Sequence, residues 1–383
     1  MNATLPIPDP DQLAHSARLV ATLRREIESQ SGWISFARYM ELALYAPGLG
    51  YYSAGARKFG AGGDFVTAPE MSPLFGRCLA RQAAEVLAQT GGELLELGAG
   101  SGRLAVDLLQ ELQQLEQLPQ RYLILEVSAH LREVQCEKLV ASLPPALFER
   151  VAWLEALPVS FSGIVLANEV LDALPVHLLA WRESGIVERG LAWQDGLAWA
   201  ERPLPPGTLL KQAEALALAP GYVSELCPAA AALIATLGER LQQGAMLFID
   251  YGFPRREYYH PHRASGTLMC HYRQHAHDDP LLYPGLQDIT AHVDFTAAAE
   301  AALAAGLEVL GYTSQAQFLI NCGITDLLAA ISPTDTAAYL PAVAQVQKLM
   351  SPAEMGELFK VIAVGRGIGP LSGFSHGDKR HTL

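Results

Sequence analysis

The chain has 383 residues, half of them hydrophobic, which is enough to bury one large core and carry substantial additions. Its 40 acidic against 27 basic residues give a formal charge of −13, which excludes a general polyanion binder and leaves nucleic acid an unexpected partner. The apolar runs all fall short of a membrane span, and the five cysteines (Cys78, Cys136, Cys227, Cys270, Cys322) are odd in number and widely spaced, without a zinc or redox pattern.

The first 16 residues carry three prolines and two aspartates, and no lysine or arginine occurs before Arg18. Neither a secretory signal nor a transit peptide is read there, so the expectation is a cytoplasmic protein with reduced, buried thiols. Helical periodicity runs over 12–44, with Leu19, Leu23 and Ile27 on one face. The glycine- and proline-rich stretches 46–52 and 59–70 follow and read as one long ordered loop, in which Asp64, Phe65 and Thr67 could close over a ligand. An amphipathic helix over 73–89 ends at Gly91-Gly92.

Short apolar runs then alternate with helices: 94–97, 103–115, 122–125, 129–142, 151–154 and 163–167. This is the rhythm of a parallel sheet covered on both faces. Between 176 and 203 the pattern changes to Trp- and Val-rich segments with turns at Glu183-Ser-Gly185 and Gln194-Asp-Gly196, which predict an inserted antiparallel meander. Packing best explains its Trp181, Trp193 and Trp199, with a homodimer or partner contact second. A helix over 229–243 and a buried strand over 245–249 resume the parallel rhythm. A polar loop over 254–292, a helix over 295–305 and strands at 307–312 and 358–365 complete it. The expected architecture is α/β, Rossmann-like, with seven strands: an extension over 1–90, a domain over 91–366 with an insertion about 176–245, and a flexible tail over 367–383.

In Leu94-Leu-Glu96-Leu-Gly98-Ala-Gly100-Ser-Gly102-Arg103 a buried strand runs through glycines directly into a helix, so the backbone can approach a ligand without an intervening Cβ. A dinucleotide fingerprint would need glycine where Arg103 stands, which disfavours a nicotinamide oxidoreductase and favours a cofactor without a pyrophosphate; the acid two residues before the first glycine, Glu96, resembles the pattern of S-adenosylmethionine enzymes. Glu96 would hold the methionine end of that cofactor. Glu126, at the end of the next strand, can accept both ribose hydroxyls. Asn168, Glu169 and Asp172 follow the fourth strand, where doubly wound sheets bind substrates; the plainer reading is that Asn168 caps a helix with Asp172 on its solvent face. The His271, His275, His277, Asp278 and Asp279 cluster has no established metal spacing, and no metal is expected.

Several stretches together resemble the MidA-like adenosylmethionine-dependent methyltransferases, related to a mitochondrial complex I assembly factor. They are Tyr45-Ala-Pro-Gly-Leu-Gly-Tyr-Tyr52, Gly63-Asp-Phe-Val-Thr-Ala-Pro-Glu70, Glu96-Leu-Gly-Ala-Gly-Ser-Gly102, Asn168-Glu169 with Asp172-Ala-Leu-Pro-Val176, Asp250-Tyr-Gly252 and Asp288-Ile-Thr-Ala-His-Val-Asp-Phe295. The resemblance implies a seven-stranded methyltransferase fold and an acceptor protein, for the mitochondrial relative an arginine on a respiratory complex subunit. Carboxylates can grip a guanidinium bidentately, so Glu169 and Asp172 are expected to orient the acceptor, with His292 and Asp294 lining its channel. A noncatalytic scaffold that has kept the cofactor pocket is the competing reading.

Overall fold

The computed structural model describes residues 5–54 and 67–383. Contacts divide the chain into two compact units, each assembled from separated stretches: Met1–Phe65, Asp172–Ala231 and Arg255–His292 in one, Val66–Leu171, Ala232–Pro254 and Val293–Leu383 in the other.

The second of these holds the α/β sheet. Its strands are β1 (Glu93–Leu97), β2 (Tyr122–Leu125), β3 (Val151–Leu154), β4 (Phe161–Asn168), β5 (Leu241–Phe253), β6 (Glu308–Ser314) and β7 (Phe359–Arg366), lying in the order β6-β7-β5-β4-β1-β2-β3. Strands β1 to β5 pair in parallel, and β7 runs antiparallel between β5 and β6. An eighth strand of two residues, Val293–Asp294, extends the sheet from the end of β5, so the expected seven strands are one short. Two residues of alternation are too few to read as a strand from sequence. The chain leaves β1 toward β2 on one side and later places β4 on the other, which opens a crevice at their carboxyl ends.

Helix Pro73–Thr90 belongs to this unit rather than to an N-terminal extension: a Cβ on its Gly76 would stand 2.6 Å from Asp107 Cβ of helix Arg103–Gln114. Leu79, Val86, Leu108, Tyr122, Ile164, Leu247 and Val361 share one core. Helices Gln315–Asn321, Ile324–Ala329 and Thr336–Met350 connect β6 to β7. The segment after Gly367 is packed, which corrects the expected flexible tail. Phe374 lies 5.4 Å from the Phe318 ring, and Lys379 N donates to Tyr312 O at 2.6 Å. Leu371 and Phe374 join the core of this unit and anchor the segment, although most of 375–383 remains at the surface.

The other unit joins helices Pro10–Ser29 and Phe36–Tyr45 to an antiparallel sheet. Its strands are Ile34–Ser35, His177–Arg182, Gly185–Trp193, Leu197–Pro203 and Val223–Leu226. Leu19, Leu23, Ile27, Tyr39, Leu178 and Leu191 form its core, so the N-terminal helices and the meander fold together. Trp181 meets Tyr222 edge-on at 6.2 Å, and Trp199 stacks on Phe36 at 5.5 Å. The stretch expected as a polar loop over 254–292 holds a small antiparallel sheet of Met269–Tyr272, His275–His277 and Asp288–Thr290. His271, His275 and His277 lie on that sheet, and among the described residues no group of three or more His, Cys, Asp or Glu could hold a metal ion.

Candidate functional site

The glycine loop begins where β1 ends. Gly98, Gly100 and Gly102 take φ values of +63°, +53° and +80°, a left-handed backbone that strains any side-chain-bearing residue. Gly98 N donates to Leu125 O at 3.0 Å, tying the loop to β2, and Gly102 caps helix Arg103–Gln114. Ser101 Oγ donates to the Glu70 carboxylate and accepts the Arg103 amide at 3.3 Å. Glu70 comes from the short helix Ala68–Met71, whose N-cap position is Thr67; the Thr67 side chain makes no capping bond. Asp64 and Phe65 lie outside the described residues.

Two buried carboxylates flank this loop. Glu96, 3% exposed on β1, accepts the Tyr122 hydroxyl at 2.6 Å. Burial pushes its pKa up to about 7; the Tyr122 bond opposes the rise and the neighbouring Glu126 charge adds to it. Glu126, just beyond β2, accepts Ser128 N at 2.9 Å on Oε1 and Gln135 Nε2 at 3.1 Å on Oε2. Burial raises its proton affinity, and these hydrogen bonds pull it back.

Gln135, fully buried, went unremarked in the sequence. Its Nε2 also donates to Gly100 O at 3.0 Å, and its Oε1 accepts the Trp153 indole at 2.8 Å. One signal was available: Leu131, Gln135 and Leu139 form the buried stripe of helix Ala129–Ser142, so an amide occupies an apolar position.

On the other side of the crevice β4 ends at Asn168, and Glu169 turns the chain in the left-handed region at φ +54°. Glu169 N donates to Ile249 O at 2.9 Å, and Leu171 N donates to Asp250 Oδ2 at 3.0 Å, so β5 pins both ends of the turn. Asp250, 1% exposed, is a second residue whose role the sequence did not reveal. Asn168 Nδ2 donates to Glu169 Oε1 at 3.0 Å, while its buried Oδ1 has no donor among the described residues.

Glu96, Gly98, Gly100, Gly102, Glu126, Asn168 and Glu169 are thus gathered at the carboxyl edge of one sheet. Asp172 and His292 belong to the other unit. There the Asp172 carbonyl accepts Ala291 N at 3.0 Å, and His292 N donates to Thr267 Oγ1 at 3.0 Å. Asp294 caps helix Phe295–Ala304 by accepting Ala297 N at 3.1 Å.

The crevice fits a nucleoside with a cationic amino-acid end. Left-handed glycines keep side chains off the backbone, two buried acids stand beside that loop, and the buried Asn168 Oδ1 has no donor among the described residues. This defines an α/β protein that binds an amino-acid nucleoside rather than a dinucleotide. Residues 78–313 match the family described as S-adenosyl-L-methionine-dependent methyltransferases. A Burkholderia thailandensis protein solved with S-adenosylhomocysteine bound is 53% identical, with TM-score 0.96 over 99% of this chain and 100% of that one. The mitochondrial protein arginine methyltransferase NDUFAF7 of Danio rerio is 31% identical over 378 residues, covering 87% of this chain and 84% of the relative. Its Bos taurus counterpart is 32% identical over 375 residues, 87% and 80%.

The chain belongs to this methyltransferase family: it is an S-adenosylmethionine-dependent enzyme, and S-adenosylmethionine is its methyl donor. The cytoplasmic expectation is overturned, because the curated relatives are mitochondrial by name. That expectation was drawn from the composition of residues 1–16, which assigns no compartment. No described helix is long and apolar enough to cross a membrane.

Proposed function

We propose that the enzyme methylates an arginine side chain of an acceptor protein, a respiratory complex subunit being the candidate that the family resemblance suggests. The observation that carries this reading is the pinned turn at Glu169, which holds a half-buried carboxylate at the sheet edge in a backbone conformation that costs about 1 kcal/mol for a residue with a Cβ. The relatives named as protein arginine methyltransferases support it. The strand order, with one two-residue addition, supports assignment to the seven-stranded class I methyltransferase fold.

S-adenosylmethionine, when bound, supplies an electrophilic methyl carbon on a sulfonium. Glu96 and Asn168 hold its amino-acid end, Glu126 grips the ribose diol, and the loop 98–102 lets the backbone lie against it. Glu169 would grip the guanidinium through its N–H groups and hold one nitrogen toward the methyl group. On transfer the sulfur would keep the electron pair of the broken carbon–sulfur bond and leave as the neutral thioether, and the one proton lost from the guanidinium would pass to bulk solvent. The test is incubation of the purified enzyme with methyl-labelled donor and cell lysate, followed by mass spectrometry. Label on arginine is expected; label confined to another residue type, or none under turnover conditions, overturns the reading.

A further inference from the structure

We infer that Gln135 is a positioning residue that couples the two halves of the cofactor site, holding the glycine loop and the ribose-binding carboxylate in one fixed relation, with Trp153 as its lock.

The geometry leaves Gln135 a single orientation. An indole N–H can only donate, so the atom 2.8 Å from Trp153 Nε1 is the amide oxygen, and the amide nitrogen faces the other way. That nitrogen has two protons and two acceptors, Gly100 O at 3.0 Å and Glu126 Oε2 at 3.1 Å. Every polar atom of a fully buried side chain is satisfied, and the three partners come from β3, the loop after β1 and the end of β2. Packing adds to the hydrogen bonds: a Cβ on Gly102 would stand 3.3 Å from Gln135 Cα, so the loop lies directly on this residue. With Ser128 N on one oxygen and Gln135 Nε2 on the other, the orientation of the Glu126 carboxylate is no longer free. Preorganisation of this kind raises affinity by removing ordering costs from the binding step.

The inference rests on the assignment of Glu126 and the glycine loop to the cofactor. It is tested by calorimetry with S-adenosylhomocysteine, with thermal unfolding run in parallel. Gln135→Leu keeps the volume and removes the donors, and is expected to weaken binding about tenfold. Gln135→Glu keeps the shape but replaces the donor with a second carboxylate facing Glu126, and is expected to weaken it about a hundredfold. In turnover assays both raise KM for the methyl donor and leave kcat within about twofold, the signature of lost uniform binding. A purely structural residue would instead lower the active fraction, and so kcat, at unchanged KM. Should both variants fail to fold, Trp153→Phe removes a single N–H and is expected to weaken binding about threefold.

Combining Gln135→Leu with Glu126→Gln should cost less than the sum of the two single changes. Wild-type affinity in Gln135→Leu or Trp153→Phe, or strict additivity in the double variant, overturns the coupling. An unchanged affinity in Glu126→Gln alone overturns the underlying assignment as well.

Discussion

The two turns that flank the crevice solve one backbone problem in opposite ways. After β1 the chain passes through three left-handed positions, and each is a glycine. After β4 it passes through one, and that position is Glu169, anchored at both ends by β5. A glycine loop offers bare backbone and serves ligand approach; a left-handed glutamate keeps its side chain at a cost. The first turn is built to be contacted along its backbone, the second to present a carboxylate.

The largest expected effect breaks the first turn. Gly102→Val places a β-branched side chain at φ +80° against Gln135, and affinity for S-adenosylhomocysteine should fall roughly a thousandfold by calorimetry. Retained affinity would show that the loop is not the cofactor seat. The second turn should fail differently: Glu169→Gln is expected to lower kcat about a hundredfold while cofactor affinity stays within about twofold. Loss of affinity would assign Glu169 to the cofactor instead of the acceptor.

The acid beneath the loop gives a pH-dependent effect. Glu96 binds its proton more tightly in the folded state, so its stabilising contribution is complete below the ordinary glutamate range and disappears as pH rises through about 7. An ammonium on the cofactor needs the ionised form. Affinity should therefore fall by at most about tenfold per pH unit below about 7, and Glu96→Gln should flatten that dependence. A wild-type titration as flat as that of Glu96→Gln would remove Glu96 from the amino-acid end.

The smallest effect sharpens the contrast. Glu169→Gly should relieve the left-handed strain and leave the ligand-free enzyme no less stable, gaining up to about 1 kcal/mol in denaturant unfolding, while turnover is lost. A clear loss of stability would mean that the carboxylate, not the backbone, holds the turn.

The strand, glycines and helix around 94–104, the acid at 126 and the polar turn at 168–169 were legible because each is a local pattern: a buried run, a break in periodicity, a charge at a strand end. The partners of these residues were not. Gln135 reaches Gly100 from a helix 35 residues on, and Asp250 reaches Leu171 across 79 positions. Nothing in the spacing of either pair announces the contact.

By itself the sequence determined the parallel α/β plan and the glycine loop, since chain-local periodicity and backbone freedom encode them, and its motif stretches carried the family resemblance. Only the tertiary structure decided that the stretches Met1–Phe65, Asp172–Ala231 and Arg255–His292 form one unit, that the residues after Gly367 are packed, and that Glu96 holds its proton to about 7. Burial and hydrogen bonding between distant stretches set these outcomes, and both exist only once the chain has folded.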